Sequence, residues 1–298
     1  MPALPTIYLD HAATTPLDPR VLDAMLPYLG PRYGNPSSIY ASAREARQAL
    51  DEARDTVAAA LGAQASEIVF TASGSEADTT AIVGVAFAGR PRGRHIVTSA
   101  VEHHAVLHSC EYLAQEHGFR VTYVPVARHG TVDLAALEAA LDDETVLVSV
   151  MLGNNEVGTL QPIAAMARLT RARGIPLHTD AVQAVGLLAV DVGALGVDLL
   201  SLAAHKLHGP KGVGALYVRR GVRIHPLVHG GGQERGRRAG TENVAGIVGL
   251  ATALRLAQAE RAARVARIGA LRDRLVAGVL AAVPNALLTG HPTARLPH

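Results

Sequence analysis

Lys206 stands in the run Ser201-Leu-Ala-Ala-His-Lys206, just after a predicted strand and just before Gly209-Pro-Lys-Gly212. An amine there can attack a carbonyl if it can lose its proton beside positioned polar groups. Alone, a lysine after a strand is more often a solvated surface residue. Lys211, between Pro210 and Gly212, is the less well-framed amine. Three upstream features bear on Lys206. Asp180 closes an apolar strand at 176–179, with Gln183 three residues on. A parallel α/β sheet places ligand groups at strand C-termini, although a helix cap or an ion pair uses the same residue type. Ser73-Gly-Ser-Glu76 follows a strand and opens a helix. Free N–H groups and a hydroxyl there can receive one phosphate, or simply cap the helix. Glu102-His-His104 and Asn154-Asn-Glu156 also follow strands. A histidine so placed can lie flat on a planar ring, and an asparagine can hydrogen-bond a phenolic oxygen.

An amine, a strand-end carboxylate and a single-phosphate turn are the parts that pyridoxal phosphate requires. The amine holds it as a Schiff base, and the carboxylate keeps its pyridine nitrogen protonated so that the ring acts as an electron sink. Metal ligation is the rival reading for His103 and His104, His205 and His208, and His225 and His229. No carboxylate partner sits at a characteristic spacing, so no metal is expected.

These residues need a frame. Short apolar or β-branched runs at 68–71, 95–98, 121–124, 146–150, 176–179, 199–202 and 214–218 read as seven strands. Helical patterns lie between them at 43–61, 76–87, 105–116, 134–141 and 163–173, with Asp133 as an N-cap and Gly174 as a stop. The alternation predicts an α/β fold, a mostly parallel seven-stranded sheet covered by helices on both faces. From Val244 an Ala/Arg/Leu stretch runs to Val283 as one long helix with a break expected at Gly269. The segment 287–298 reads as a strand, a turn and the approach to another strand. The expected division is a large cofactor-binding domain at 16–243 and an incomplete small α+β domain made of 1–15 plus 244–298.

At 298 residues the chain can bury a large core, and with only 3% aromatics that core must be Ala, Val and Leu. A net charge of +2, with no basic cluster longer than Arg235 to Arg238, gives no reason to expect nucleic acid. No apolar run is long enough for a membrane span, and no basic-then-apolar leader opens the chain. A single cysteine, Cys110, excludes an intrachain disulfide and a four-thiolate zinc site. The expectation is a cytoplasmic protein.

In order along the chain, Tyr8-Leu-Asp-His-Ala-Ala-Thr-Thr15, Gly34-Asn-Pro-Ser-Ser38, Ser73-Gly-Ser-Glu76, Val101-Glu-His103, Asn154-Asn-Glu-Val-Gly158, His178-Thr-Asp-Ala-Val-Gln183, His205-Lys-Leu-His-Gly-Pro-Lys-Gly212 and Arg238-Ala-Gly-Thr-Glu-Asn243 resemble the cysteine desulfurases. The second and last blocks resemble their nitrogen-fixation-type branch within the class V aminotransferase superfamily. The resemblance implies the pyridoxal-phosphate-dependent transferase fold. It implies that Lys206 carries the cofactor, that His103 stacks on the ring and moves protons, and that Asp180 pairs with the ring nitrogen. Gln183 and Asn155 would address the phenolic oxygen and the substrate, and Gly74, Ser75 and His205 the phosphate. Thr241 would reach the phosphate of the neighbouring subunit in a homodimer. The implied reaction converts L-cysteine to L-alanine. A protein cysteine takes the sulfur as a persulfide and passes it to an acceptor such as an iron–sulfur scaffold protein.

Two departures from the family pattern follow. Ala203 stands where the family usually has a phosphate-binding serine, so one hydrogen bond is expected to be missing. The family's catalytic cysteine lies beyond an Arg-Leu-Pro like Arg295-Leu-Pro297, so the resemblance implies a C-terminally shortened chain without the persulfide-forming loop. Cys110 reads as a buried helix residue rather than the nucleophile. Two alternatives stay open. One is a related lyase or aminotransferase acting on another small amino acid, such as selenocysteine. The other is a non-catalytic paralogue that dimerises with a full-length desulfurase.

Overall fold

Seven strands form one sheet in the computed structural model, which describes residues 7–298. They are β1 (Ile68–Thr71), β2 (His95–Ser99), β3 (Arg120–Val124), β4 (Thr145–Ser149), β5 (Leu177–Asp180), β6 (Leu199–Ala203) and β7 (Gly214–Val218). The order across the sheet is β1-β7-β6-β5-β4-β2-β3. Only β7 runs against the rest: it is antiparallel to both β6 and β1, which makes β1 parallel to β6. The mostly parallel sheet read from the sequence is therefore present, with each strand within two residues of its expected position. Residues 1–6, assigned above to the small domain, lie outside the described residues.

The helices are α1 (Pro19–Leu29), α2 (Ala41–Leu61), α3 (Gly74–Gly89), α4 (His104–His117), α5 (Leu134–Ala140), α6 (Ile163–Ala172), α7 (Val192–Leu195) and α8 (Val244–Ala282). Period-two alternation sorts the sheet's side chains between two cores. On β7, Ala215 and Tyr217 pack with residues of α1, α2, α6 and α8, while Leu216 and Val218 pack with α3 and α4. Asp133 caps α5 as expected, accepting from the backbone N–H groups of Ala135 and Ala136.

Three sequence expectations need correction. α1 was not anticipated: Pro27 lies inside it, and only Val21 and Met25 are buried, so its apolar signal is thin. The break expected at Gly269 does not occur, and α8 runs for 39 residues. One glycine costs a helix only about 1 kcal/mol relative to alanine, and the flanking Ala, Arg and Leu residues carry the helix through. The strand pair expected at 287–298 is irregular chain with one isolated bridge, Thr159 to Arg295. Pro292 and Pro297 remove ladder donors there, and Gly290 turns the chain at φ +78°.

One buried ion pair anchors the loop before α8. Arg54 of α2 meets Glu234 in a two-pronged contact of 2.6 and 2.7 Å, with side chains 5% and 2% exposed. Arg54 also donates to the Ile68 carbonyl, and Glu234 accepts from the Phe70 N–H. Glu234 and Arg235 both sit in the left-handed region, at φ 47° and 58°. That backbone cost is held by the contacts around it.

The first half of α8 is built into the main core, with Ile247, Leu250, Ala253 and Leu254 buried against α1 and α2. Its second half exposes Leu271, Leu275 and Val279. The segment at 294–298 returns to join both parts. Arg272 of α8 donates to the carbonyls of Leu296 and Pro297, while Leu296 donates to Gly158.

Candidate cofactor site

Because β1, β2, β4, β5 and β6 run in one direction, the segments after them converge at one end of the sheet, where such folds place ligands. A cavity of about 590 Å³ opens there. Strand β5 ends on Asp180, which lines the cavity and is 7% exposed. Its Oδ1 accepts from the Val182 N–H at 2.9 Å. Burial raises the Asp180 carboxyl above the usual carboxylate range, while His103 and Lys206 pull it back.

After β6 the chain makes one short turn, and this carries Lys206 into the cavity. Its Nζ donates to the carbonyls of Ala12 and Ala13, the latter at 2.8 Å. Half-buried, the amine is pulled below its usual range by desolvation, against the opposing charges of Asp180 and Asp10. That is the condition an amine nucleophile needs. His205 hydrogen-bonds Thr14 Oγ1 at 3.1 Å, and Gln183 donates to the Ala12 carbonyl. The segment carrying Asp10, Ala12 and Ala13 thus closes one wall.

Ser73 caps α3, accepting from the Glu76 N–H at 3.0 Å, and Gly74 and Ser75 line the cavity at the start of that helix. A Cβ on Gly74 would come within 2.9 Å of a Val182 methyl, so glycine keeps this corner open. His103 caps α4: its Nδ1 accepts from the Ala105 N–H at 3.1 Å, which leaves the proton of a neutral ring on Nε2. Asp78, His103 and Asp180 bring one side-chain donor atom each within 4.8 Å of one another. After β4, Asn154 braces its loop by accepting from the N–H groups of Glu156 and Val157, which leaves Asn155 on the cavity wall.

The structure therefore gathers Gly74, Ser75, His103, Asn155, Asp180, Gln183, His205 and Lys206 around one space. Thr241 is not among them. It lines a separate cavity of about 120 Å³ with Arg238, Gly212 and Glu234. Sequence reasoning missed Asp78, which also faces the main cavity. Its signal was a lone acid two residues past Glu76 in the otherwise uncharged remainder of α3.

Behind the cavity, Glu102 accepts from Ser99 Oγ at 2.5 Å and from the Met151 N–H, and burial pushes its carboxyl up to about 8. A raised folded-state pKa gives stability that is complete below the unfolded value and is lost as pH rises toward 8. Glu102→Gln should therefore flatten the fall in unfolding free energy between about pH 4.5 and 8. The slope removed is about 1.4 kcal/mol per pH unit, readable from urea unfolding at a series of pH values. Parallel curves for the two proteins would exclude a protonated Glu102.

The sequence profile of the class V aminotransferase family matches residues 7–298. A cysteine desulfurase IscS of Methanosarcina thermophila is 52% identical over 290 residues, which is 97% of this chain and 71% of that protein. A cysteine desulfurase NifS of Azotobacter vinelandii is 49% identical, over 98% of this chain and 72% of that one. A solved NifS-like protein superposes with a TM-score of 0.94 at 43% identity, over 98% of this chain and 80% of its own. A second structure, of SspA in complex with cysteine, gives 0.81 at 42% identity over 84% of this chain and 72% of its own. With the family profile matched over residues 7–298 and about half of its residues identical to these relatives, this chain belongs to the class V aminotransferase family, in the cysteine desulfurase branch.

Proposed function

We propose that this chain binds pyridoxal phosphate on Lys206 and is a cysteine desulfurase, acting on L-cysteine to yield L-alanine and transferable sulfur. The observation that carries the reading is the half-buried amine of Lys206 sharing a cavity with the buried carboxylate of Asp180. The residues present fit the cofactor. A phosphate suits the Ser73–Ser75 start of α3 beside His205, a protonated ring nitrogen suits Asp180, and the His103 imidazole can cover a flat ring. When bound, pyridoxal phosphate supplies an electron sink for bond cleavage at the amino-acid carbons.

The remaining roles fall to side chains of this chain. Lys206 Nζ, eased toward its neutral form, takes and returns a proton. His103 holds its proton at Nε2, on the side away from the Ala105 N–H. Asn155 and Gln183 offer amides that orient bound polar groups. Cys110 is no candidate for taking sulfur: it is fully buried in α4, and burial pushes its thiol up to about 12.

The reading extends to a cytoplasmic homodimer in which Thr241 serves the neighbouring subunit's phosphate. Its place on a cavity apart from Lys206 is compatible with that role. A sulfur acceptor, such as an iron–sulfur scaffold protein, completes the scheme. In the described chain no helix is long and apolar enough to cross a membrane.

The test is reductive trapping. The purified chain, loaded with pyridoxal phosphate and treated with borohydride, should carry the label on Lys206 when its peptides are mapped. A label on Lys211, or none, would overturn the assignment. Ala203, buried on the cavity wall, offers a check on the phosphate end. Ala203→Ser should tighten cofactor binding about fivefold, the worth of one hydrogen bond at about 1 kcal/mol. Equilibrium dialysis reads it, and unchanged affinity would place the phosphate elsewhere.

A further inference from the structure

Asp78 has no part in the scheme above, yet it is 1% exposed and faces the same cavity, and its Oδ1 has no hydrogen-bond partner. It rises from the second turn of α3 toward the floor formed by β5 and β6. There, His178 lies between two hydroxyls, with Nδ1 at 2.8 Å from Ser149 Oγ and Nε2 at 2.9 Å from Ser201 Oγ. Asp78 Oδ1 stands 3.6 Å from that same Nε2. His178 is wholly buried, and desolvation lowers it to about 3, so it brings no positive charge to the pair. Burial raises the Asp78 carboxyl well above the usual range, and the charge of Asp180 on β5 adds to this. The Ser201 hydroxyl opposes it, and Glu102 after β2 raises it further, with the His103 ring also facing the acid.

Two ionised carboxylates cannot share a dry space of this size without a cation between them. Asp180 has the better claim to the charge. It accepts a backbone N–H, and the charge of Lys206 acts on it. Asp78 has only the Ser201 hydroxyl to favour its charged form, while the His103 ring lies close to both acids.

We propose that Asp78 is a positioning residue that stays a neutral acid at the cavity floor, leaving Asp180 as the single negative charge that faces the cofactor ring. The proposal rests on the reading of Asp180 as the ring-facing carboxylate. As a neutral acid, Asp78 carries an O–H, and Ser201 Oγ, itself hydrogen-bonded to His178 Nε2, is the acceptor within its surroundings. A second anion would instead pull the ring nitrogen's proton toward the floor and share it between two sites.

Asp78→Asn keeps the shape and the neutral state, so it separates charge from packing. In the cofactor-free chain, folding should take up one more proton in the wild type than in Asp78→Asn between about pH 5 and 8. The ratio of their unfolding equilibrium constants should then change about tenfold per pH unit. Parallel curves would overturn the proposal, because an Asp78 ionised in both states gives no linkage. If Asp78→Asn does not fold, infrared spectra of wild-type protein with isotope-labelled aspartate decide the matter. A protonated-carboxyl band that shifts with the aspartate label, and persists in Asp180→Asn, supports a proton on Asp78. Its absence at pH 7 refutes it, and Glu102 does not interfere because glutamate is unlabelled.

In the loaded protein, Asp78→Asn should leave the pH titration of the visible band in place, whereas Asp180→Asn should weaken cofactor binding at least tenfold. A titration displaced by a full pH unit in Asp78→Asn would mean that a charge had been removed, and would sink the neutral-acid assignment. If Asp180→Asn binds pyridoxal phosphate as well as wild type, the cofactor reading of Asp180 fails. The proton count on the cofactor-free chain still stands as its own result.

Discussion

Lys206→Ala should abolish the Schiff-base absorption of the loaded protein and leave any residual pyridoxal phosphate removable by dialysis. The covalent attachment is lost outright, because among the described residues no other amine lines the cavity. Proton transfer at the same atom is lost with it, which alone accounts for about 10²–10⁴ in rate. Alanine formation from cysteine, measured on whatever activity the loaded 298-residue chain has, should fall by at least that factor. Added small primary amines should restore part of the band, because the hole left by the side chain stays flanked by Asp180 and His205. A persistent band in Lys206→Ala would move the attachment site and undo the reading of the cavity.

Glu234→Ala should destabilise the chain by about 3–5 kcal/mol, the usual cost of leaving one member of a buried ion pair without its partner. Arg54 would keep only the Ile68 carbonyl and the face of Phe70, whose ring centroid is 4.6 Å away. The Phe70 N–H would lose its acceptor as well, and the left-handed turn at Glu234 and Arg235 would lose the contact that holds it. Chemical unfolding reads the loss directly. The paired variant Arg54→Met with Glu234→Leu should recover a large part of it, because two apolar groups leave no orphaned charge. A cost below about 1 kcal/mol for Glu234→Ala would mean that solvent reaches this pair.

The two predictions differ in how visible their residues were beforehand. Lys206, Asp180 and the Ser73 turn were legible because each follows a short strand-like run, and strand ends in such a sheet carry ligand groups. Six of the seven strands were legible because strands buried on both faces read as short apolar runs between helical patterns; the edge strand β3, partly exposed, was legible from its Val and Thr residues. The Arg54–Glu234 pair was not legible. Its partners stand 180 residues apart, and each alone looks like a solvated charge on a helix or in a basic loop. Asp78 escaped notice because an acid two residues past Glu76 reads as one more solvated charge near a helix start. Only the packing of α3 on the sheet shows that it is buried. The helix α1 was masked by its internal proline, and the irregular course of 287–298 by apolar residues that imitate a strand.

The return of the chain at 294–298 gives α8 a mechanical character. From Ala257, where its burial ends, to Ala282 the helix projects about 38 Å at 1.5 Å per residue. A tilt of about 5° at the anchored end therefore displaces its tip by about 3 Å. Arg272 ties this free span to the backbone at Leu296 and Pro297, and Leu296 is tied in turn to Gly158, three residues from Asn155. The helix is a beam clamped at one end, with a stay running from its midspan to the loop that walls the cavity. The exposed half of α8 and the loop that carries Asn155 are thus joined by three hydrogen bonds.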